Sequence, residues 1–110
     1  MNVLFVCYAN IGRSQMAEAF FTALTTRHHA RSAGVGVGPY DGQSLMKHGN
    51  VVRCMNDVGI DVSHKTITQL TPALFDRADR VVWMTEKEYV PSYARNSQKL
   101  LFWDVQDVGG

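Results

Sequence analysis

Short apolar runs divide the chain into regularly spaced strand candidates. The runs at residues 3–6, 80–84 and 99–103 are rich in β-branched and aromatic side chains, which predicts buried β-strands. Residues 30–33, directly before a glycine-rich stretch, predict a short second strand along the chain. Each run is followed by polar residues or a turn-forming stretch, so four separate strands are expected.

Between these runs the apolar period changes to that of a helix. Apolar positions at i, i+4, i+7 and i+8 predict a helix over residues 14–26 with one buried face. A second stripe, at residues 51–58, stops at Gly59, a residue typical of helix ends. Thr71 before Pro72 pairs an N-cap residue with the proline favoured at the first helical position, so a third helix is expected there.

Two segments lack a clear period. The stretch at residues 34–42 contains four glycines and a proline, and we expect an irregular loop without helix or strand. Residues 86–93 predict a short helix or turn. Strands that alternate with helices predict a parallel sheet covered on both faces, with ligands bound beyond the carboxyl ends of the strands.

The bulk properties limit the functional classes. A chain of 110 residues fits one domain, residues 1–110, and a net charge of +1 offers no whole-molecule attraction to nucleic acid or to an anionic membrane. No signal-peptide pattern or apolar span occurs, which favours a cytoplasmic protein. The two cysteines, Cys7 and Cys54, form no zinc-binding pattern, and we expect no metal and no cofactor.

The segment from Cys7 to Ser14 carries the candidate chemistry. It reads Cys-Tyr-Ala-Asn-Ile-Gly-Arg-Ser, a Cys-x5-Arg-Ser pattern between a predicted strand and a predicted helix. A loop of this length can turn its backbone N–H groups inward, and the helix N-terminus adds positive charge at the same place. The Arg13 guanidinium can hold two oxygens of a tetrahedral anion. In that field Cys7 is expected to be a thiolate nucleophile.

The remaining loop residues have structural assignments. Asn10 suits a position of positive φ whose side chain bonds back to the backbone, and Ser14 is expected to donate a hydrogen bond to the Cys7 sulfur. Substrate contact through the loop is predicted for Tyr8, Ala9, Asn10, Ile11, Gly12 and Ser14. The alternative is that Cys7 is a small buried apolar residue and Arg13 only begins a helix.

The chain resembles the low-molecular-weight protein tyrosine phosphatases and the thioredoxin-coupled arsenate reductases of the same fold. The likeness covers nearly the whole length, and its most specific part is residues 3–20. It implies a single-domain, three-layer α/β/α fold, flavodoxin-like, with a four-stranded parallel sheet and without the family's last helix. The missing helix would leave an apolar patch exposed, to be covered by a partner such as a second copy in a homodimer.

The resemblance also implies roles for individual residues. Cys7 is the expected nucleophile of a phosphocysteine mechanism and Arg13 the phosphate clamp, while Ser32 and His64 would support the loop. Asp107 would be the general acid, although the proline that follows this residue in the family is absent and Asp104 lies close enough to substitute.

The implied activity is a phosphomonoesterase, specifically a protein-tyrosine phosphatase. Its substrates would be phosphorylated proteins or small phosphate esters, and inorganic phosphate or sulfate would fit the site. The aromatic residues that usually pack on phosphotyrosine are missing from the end, so Tyr8 and Tyr40 are candidates to line the cleft instead.

Two other functions stay open at the level of sequence. Arsenate is also tetrahedral, but the relay cysteines of the thioredoxin-coupled enzymes are absent from residues 85–99, so reduction would require an external thiol. A non-catalytic module that binds an oxyanion in the same loop is the second alternative.

Overall fold

A four-stranded sheet organises the residues that the structure, a computed structural model, describes, namely residues 1–103. Its strands are β1 (Asn2–Cys7), β2 (His29–Gly34), β3 (Arg80–Trp83) and β4 (Leu100–Phe102). All three pairings are parallel and the order across the sheet is β2-β1-β3-β4. The predicted parallel α/β architecture is therefore confirmed.

Three helices connect the strands: α1 (Arg13–Leu24), α2 (Gly49–Asp57) and α3 (Pro72–Arg77). Helix α3 begins as predicted, with the Thr71 side chain accepting a hydrogen bond from the Leu74 N–H at 3.2 Å. Helix α1 ends at Leu24 rather than near Thr26, because Thr25 takes an extended backbone conformation while its N–H still bonds to the Phe21 carbonyl.

The glycine-rich segment contains one short regular turn, which corrects the prediction of a wholly irregular loop. Residues Gly38–Tyr40 form a 3₁₀ helix with Pro39 in its first turn. Gly38 has φ +59°, which glycine adopts freely, and the ring of Pro39 fixes a helical φ directly after it. The predicted helix or turn around residues 86–93 consists of two 3₁₀ turns, Lys87–Tyr89 and Ser92–Ala94.

The strands bury side chains on both faces of the sheet. On one face Leu4 and Val6 of β1 pack with Phe75 of α3 and with Trp83. On the other face Val3 and Phe5 pack with Phe21 of α1. A further cluster joins α1 to α2 through Ala19, Met55 and their neighbours. This arrangement gives the three layers expected and holds the carboxyl end of β1 rigidly in the centre of the sheet.

An apolar groove lies on the α1 face of the sheet among the described residues. It has a volume of about 690 Å³. Leu101 and Trp103 are 62% and 53% exposed there, unusually high values for such large apolar side chains. Its lining residues are Val3, Phe5, Ala17, Phe20, Phe21, Val82, Leu101, Phe102 and Trp103. In residues 1–103 no helix has the length and apolar character that crossing a membrane requires.

Candidate active site

The loop after β1 is shaped by close contact with the main chain that follows β2. The Val35 and Gly36 N–H groups donate to the carbonyls of Cys7 and Tyr8 at 3.2 and 2.9 Å. A Cβ on Gly34 would lie 2.6 Å from the Tyr8 carbonyl oxygen and 2.8 Å from the Asn10 nitrogen, so only glycine fits there. These close backbone contacts therefore fix the position of the loop against the sheet.

The Cys7 thiol lies at the base of this loop and accepts hydrogen bonds. Cys7 is the last residue of β1 and is only 3% exposed. The Asn10 backbone N–H donates to its Sγ at 3.2 Å, and the Ser14 Oγ lies 3.0 Å from the same sulfur. The thiolate is the form of cysteine that acts as a nucleophile, and the Asn10 N–H is a donor placed to bind its sulfur.

Asn10 adopts the left-handed conformation that its position in the motif predicted. Its φ is +56°, and its side chain is completely buried. The Asn10 Nδ2 donates to the Ser14 Oγ at 2.8 Å, while its Oδ1 accepts from the Thr68 backbone N–H at 2.8 Å. The side chain thus ties the loop both to the start of α1 and to the segment before α3.

Gln15 also belongs to this buried network, although sequence reasoning missed it. It is 1% exposed, and its Nε2 donates to the Asn10 Oδ1 at 3.1 Å and to the Thr66 carbonyl at 2.9 Å. The only available signal was a polar residue directly after the Cys-x5-Arg-Ser pattern. Its spacing from the apolar stripe of α1 does not distinguish a buried amide from a solvated one.

Arg13 begins α1 and reaches across to the end of β3. Its Nη1 donates to the Met84 carbonyl at 2.9 Å, which orients the guanidinium toward the loop edge. Arg13 lines the same cleft as Cys7. Helix α1 begins where this loop ends, and no side chain caps its first N–H groups. These donors and the positive end of the helix dipole therefore lie beside the loop.

The cleft above Cys7 has a volume of about 510 Å³. It is open and combines the loop with residues that follow β3, because β3 lies beside β1 in the sheet. Tyr8 and Tyr89 form its aromatic side, with ring centroids 5.2 Å apart and planes inclined by 59°. The lining residues are Cys7, Tyr8, Ala9, Ile11, Gly12, Arg13, Thr85, Glu86 and Tyr89.

Among the described residues, Glu86 is the carboxylate that lines the cleft. Hydrogen bonds from the Thr85 hydroxyl, at 2.7 Å, and from its own backbone N–H lower the pKa of this carboxyl, with a smaller contribution from the charge of Arg13. A lowered pKa keeps the side chain ionised at neutral pH. Glu86 is therefore poorly suited to donate a proton to a leaving group.

The other predicted site residues lie at different places. Tyr40 is not among the residues that line the cleft, and its ring packs edge-on against His48 at 5.6 Å. Ser32 is buried on β2 and His64 is exposed in the segment before α3. Within residues 1–103 no hydrogen bond joins either side chain to the loop; the amide of Gln15 and the backbone of Thr68 contact Asn10 instead.

The predicted general acids, Asp104 and Asp107, lie outside the described residues. Cys54 is exposed on α2 and does not line the cleft. In the part of the chain that the structure describes, no group of three or more His, Cys, Asp or Glu side chains could hold a metal ion.

Comparison with known proteins gives a family for this geometry. The family model described as low molecular weight phosphotyrosine protein phosphatase matches residues 2–102. An arsenate reductase of Bacillus cereus strain Q1 is 34% identical over 84 residues, which cover 73% of this chain and 55% of the relative. The chain thus spans about half the length of the curated relatives that it matches.

Solved structures show the same architecture. A low molecular weight protein tyrosine phosphatase from T. tengcongensis superposes with a TM-score of 0.77 at 31% identity, covering 93% of this chain and 72% of that one. The YwlE arginine phosphatase from Geobacillus stearothermophilus gives a TM-score of 0.72 at 27% identity, over 92% of this chain and 65% of that one. These similar proteins carry three different activities in their names.

Proposed function

Because the chain belongs to the low molecular weight phosphotyrosine protein phosphatase family, we propose that it is a phosphomonoesterase that hydrolyses aryl phosphates such as phosphotyrosine. One observation carries the proposal: the Cys7 sulfur, which accepts a hydrogen bond from the Asn10 N–H and lies 3.0 Å from the Ser14 Oγ, lines a cleft together with Arg13, Tyr8 and Tyr89. The nucleophile, the guanidinium cation and two aromatic rings therefore line the same cleft.

The chemistry follows from the positions of these groups. The Cys7 thiolate attacks phosphorus, a sulfur–phosphorus bond forms, and the bond to the leaving oxygen breaks. The loop N–H groups and Arg13 stabilise the charge on the equatorial oxygens. Water then attacks the phosphocysteine and releases phosphate together with the thiolate, which the Ser14 hydroxyl stabilises as it departs.

Asp107 is proposed to protonate the leaving oxygen and afterwards to deprotonate the attacking water, with Asp104 as its substitute. The proposal rests on the family resemblance and on the ionised state of Glu86, which makes Glu86 a poor acid for this step.

An aryl substrate is favoured over phosphoarginine by the lining of the cleft. The tilted rings of Tyr8 and Tyr89, together with Ile11, provide apolar contacts beside the nucleophile. A phenyl ring gains contact with such rings in tilted or offset arrangements. A guanidinium leaving group would also stack there, so the two substrates have to be compared directly.

Arsenate reduction is the second candidate, supported by the names of the curated relatives. Arsenate fits the same anion site, and Cys7 would attack arsenic as it attacks phosphorus. A second thiolate must then attack the Cys7 sulfur, so that a disulfide forms, the sulfur–arsenic bond breaks and the arsenic leaves as arsenite. Since Cys54 is exposed on α2 and does not line the cleft, that thiolate would have to come from an external dithiol or small thiol.

The deciding experiment compares three reactions of the purified chain without added metal: hydrolysis of an aryl phosphate, hydrolysis of phosphoarginine, and arsenate reduction with added thiol. We expect the aryl phosphate to give the highest kcat/KM. Cys7→Ser and Arg13→Ala should abolish that turnover, and Asp107→Asn should lower it about a hundredfold, the usual scale for loss of a general acid.

Different results would assign the other functions. Faster arsenate reduction than ester hydrolysis would reject the phosphatase proposal in favour of a reductase. Phosphate binding that depends on Arg13, without turnover of any of the three substrates, would leave a non-catalytic oxyanion-binding module.

A further inference from the structure

The orientation of the Gln15 side-chain amide is determined by its hydrogen-bond partners. Its two hydrogen bonds, at 3.1 and 2.9 Å, end on the Asn10 Oδ1 and on the Thr66 carbonyl oxygen. Both partner atoms are acceptors, so only the NH₂ side of the Gln15 amide can face them. Both Nε2 protons are used, while the buried Oε1 has no partner within residues 1–103.

We propose that Gln15 is a positioning residue that orients the Asn10 amide and, through Ser14, sets the hydrogen bond that the Cys7 sulfur receives. The proposal rests on the function proposed above, in which Cys7 is the nucleophile. It assigns to Gln15 a role in preparing the thiolate, without contact between Gln15 and substrate.

The direction of each hydrogen bond carries the argument. The Asn10 Oδ1 accepts from Gln15 and from the Thr68 N–H, so the Asn10 Nδ2 must face the Ser14 Oγ, 2.8 Å away. In the proposed arrangement the Ser14 hydroxyl, held by Asn10, donates its proton to the Cys7 Sγ, 3.0 Å away. The chain of donors therefore runs in one direction and ends on the sulfur.

Without the Gln15 amide, the directions of these hydrogen bonds would be less strictly determined. The Asn10 Oδ1 would retain only the Thr68 N–H, and the amide of Asn10 could then turn away from Ser14. Ser14 would be free to accept rather than donate toward Cys7.

The test measures the Cys7 thiolate directly, in a Cys54→Ser background so that the exposed second thiol does not react. Iodoacetamide alkylation is followed across pH for the parent, for Gln15→Met, which has a similar length without donors, and for Gln15→Asn, which is one methylene shorter. We expect the midpoint of alkylation to move upward by about one pH unit in Gln15→Met, a roughly tenfold loss of thiolate below the midpoint. Gln15→Asn should shift it in the same direction.

Gln69→Met is the matched control. Gln69 also forms partly buried amide bonds, accepting from the Val37 N–H at 3.0 Å and donating to the Val35 carbonyl at 3.0 Å, but none of them reaches the side chain of Asn10 or Ser14. It should lower the melting temperature and leave the alkylation profile unchanged. An unchanged profile in the Gln15 variants, with a loss of melting temperature like that of Gln69→Met, would overturn the proposal.

The alkylation readout separates this inference from the proposed function. If the parent hydrolyses no phosphate ester and the Gln15 variants still shift the profile, the positioning role stands while the phosphatase assignment fails. If the parent is an active phosphatase and the profile does not move, the reverse holds.

Discussion

Tyr8 and Tyr89 face each other at the mouth of the cleft, with their ring centroids 5.2 Å apart. One ring belongs to the loop after β1 and the other to the 3₁₀ turn Lys87–Tyr89 after β3. The two strands are neighbours in a parallel sheet, so the segments that follow them meet at the same edge. Topology thus places an aromatic pair beside the Cys7 sulfur from residues 81 positions apart in the chain.

Replacing Tyr89 by leucine should weaken the binding of aryl substrates. Aromatic pairs contribute about 0.5–1.5 kcal/mol beyond the burial of their area, so KM for an aryl phosphate is expected to rise about two- to tenfold with little change in kcat. Inhibition by inorganic phosphate, which has no ring, should stay the same. Steady-state kinetics with both ligands provides the measurement.

Tyr93→Leu is the control for this variant, because Tyr93 packs on Phe75 at 5.9 Å and does not line the cleft. Equal changes in KM for the two leucine variants would show that Tyr89 does not contact the substrate ring.

Gly34 and Gly36 should respond differently to alanine. A Cβ at Gly36 would lie 2.4 Å from the Tyr8 Cζ, and the end of a flexible side chain can move aside. A Cβ at Gly34 would meet the backbone of Tyr8 and Asn10, which cannot move without opening the anion loop. We expect Gly36→Ala to raise KM a few-fold and Gly34→Ala to lower kcat/KM at least a hundredfold, on the scale of a lost oxyanion donor.

Gly49→Ala is the matched substitution, since a Cβ there meets nothing within 4 Å. The same kinetic assay and a thermal melt for all three variants would check the order. Similar activities for Gly34→Ala and the parent would contradict the close fit between loop and sheet.

Ser14→Ala should slow the second chemical step more than the first. Ser14 is completely buried and lies 3.0 Å from the Cys7 Sγ, where its hydroxyl stabilises the departing thiolate. We expect kcat to fall about tenfold to a hundredfold, with a burst of aryl alcohol and accumulation of phosphocysteine that mass spectrometry can detect. Ser97→Ala, outside the site, is expected to behave as the parent; a slow first step without a burst would contradict the assignment.

The sequence predicted the parts of the molecule that depend on local patterns. Apolar runs indicated three of the four strands, and the spacing from Cys7 to Arg13 indicated the anion loop, because both depend on residues close together in the chain. Asn10 was assigned a positive φ from the same local pattern, and the observed value of +56° agrees.

Contacts between distant segments could not be predicted in this way. The bond from Thr68 to Asn10 joins residues 58 positions apart, and that from Gln15 to Thr66 joins residues 51 apart. No pattern along the chain records that these segments meet. For the same reason Tyr40 was predicted to line the cleft and Tyr89 was not. Which ring lies near Cys7 depends on β1 and β3 being neighbours in the sheet.

Glu86→Gln should raise the affinity for anionic substrates without loss of chemistry. The Thr85 hydroxyl and the Glu86 backbone N–H depress the pKa of this carboxyl. The stability that these bonds add to the fold is therefore present above pH 4.5, the ordinary pKa, and is lost as the pH falls through the lower pKa of the folded state. At neutral pH the ionised side chain repels a bound phosphate ester, and its neutralisation should lower KM about two- to fivefold. The exposed Glu88→Gln, one turn away, should change KM less. If kcat instead falls by a hundredfold and the basic limb of the pH–rate profile disappears, Glu86 is the general acid and the role proposed for Asp107 is wrong.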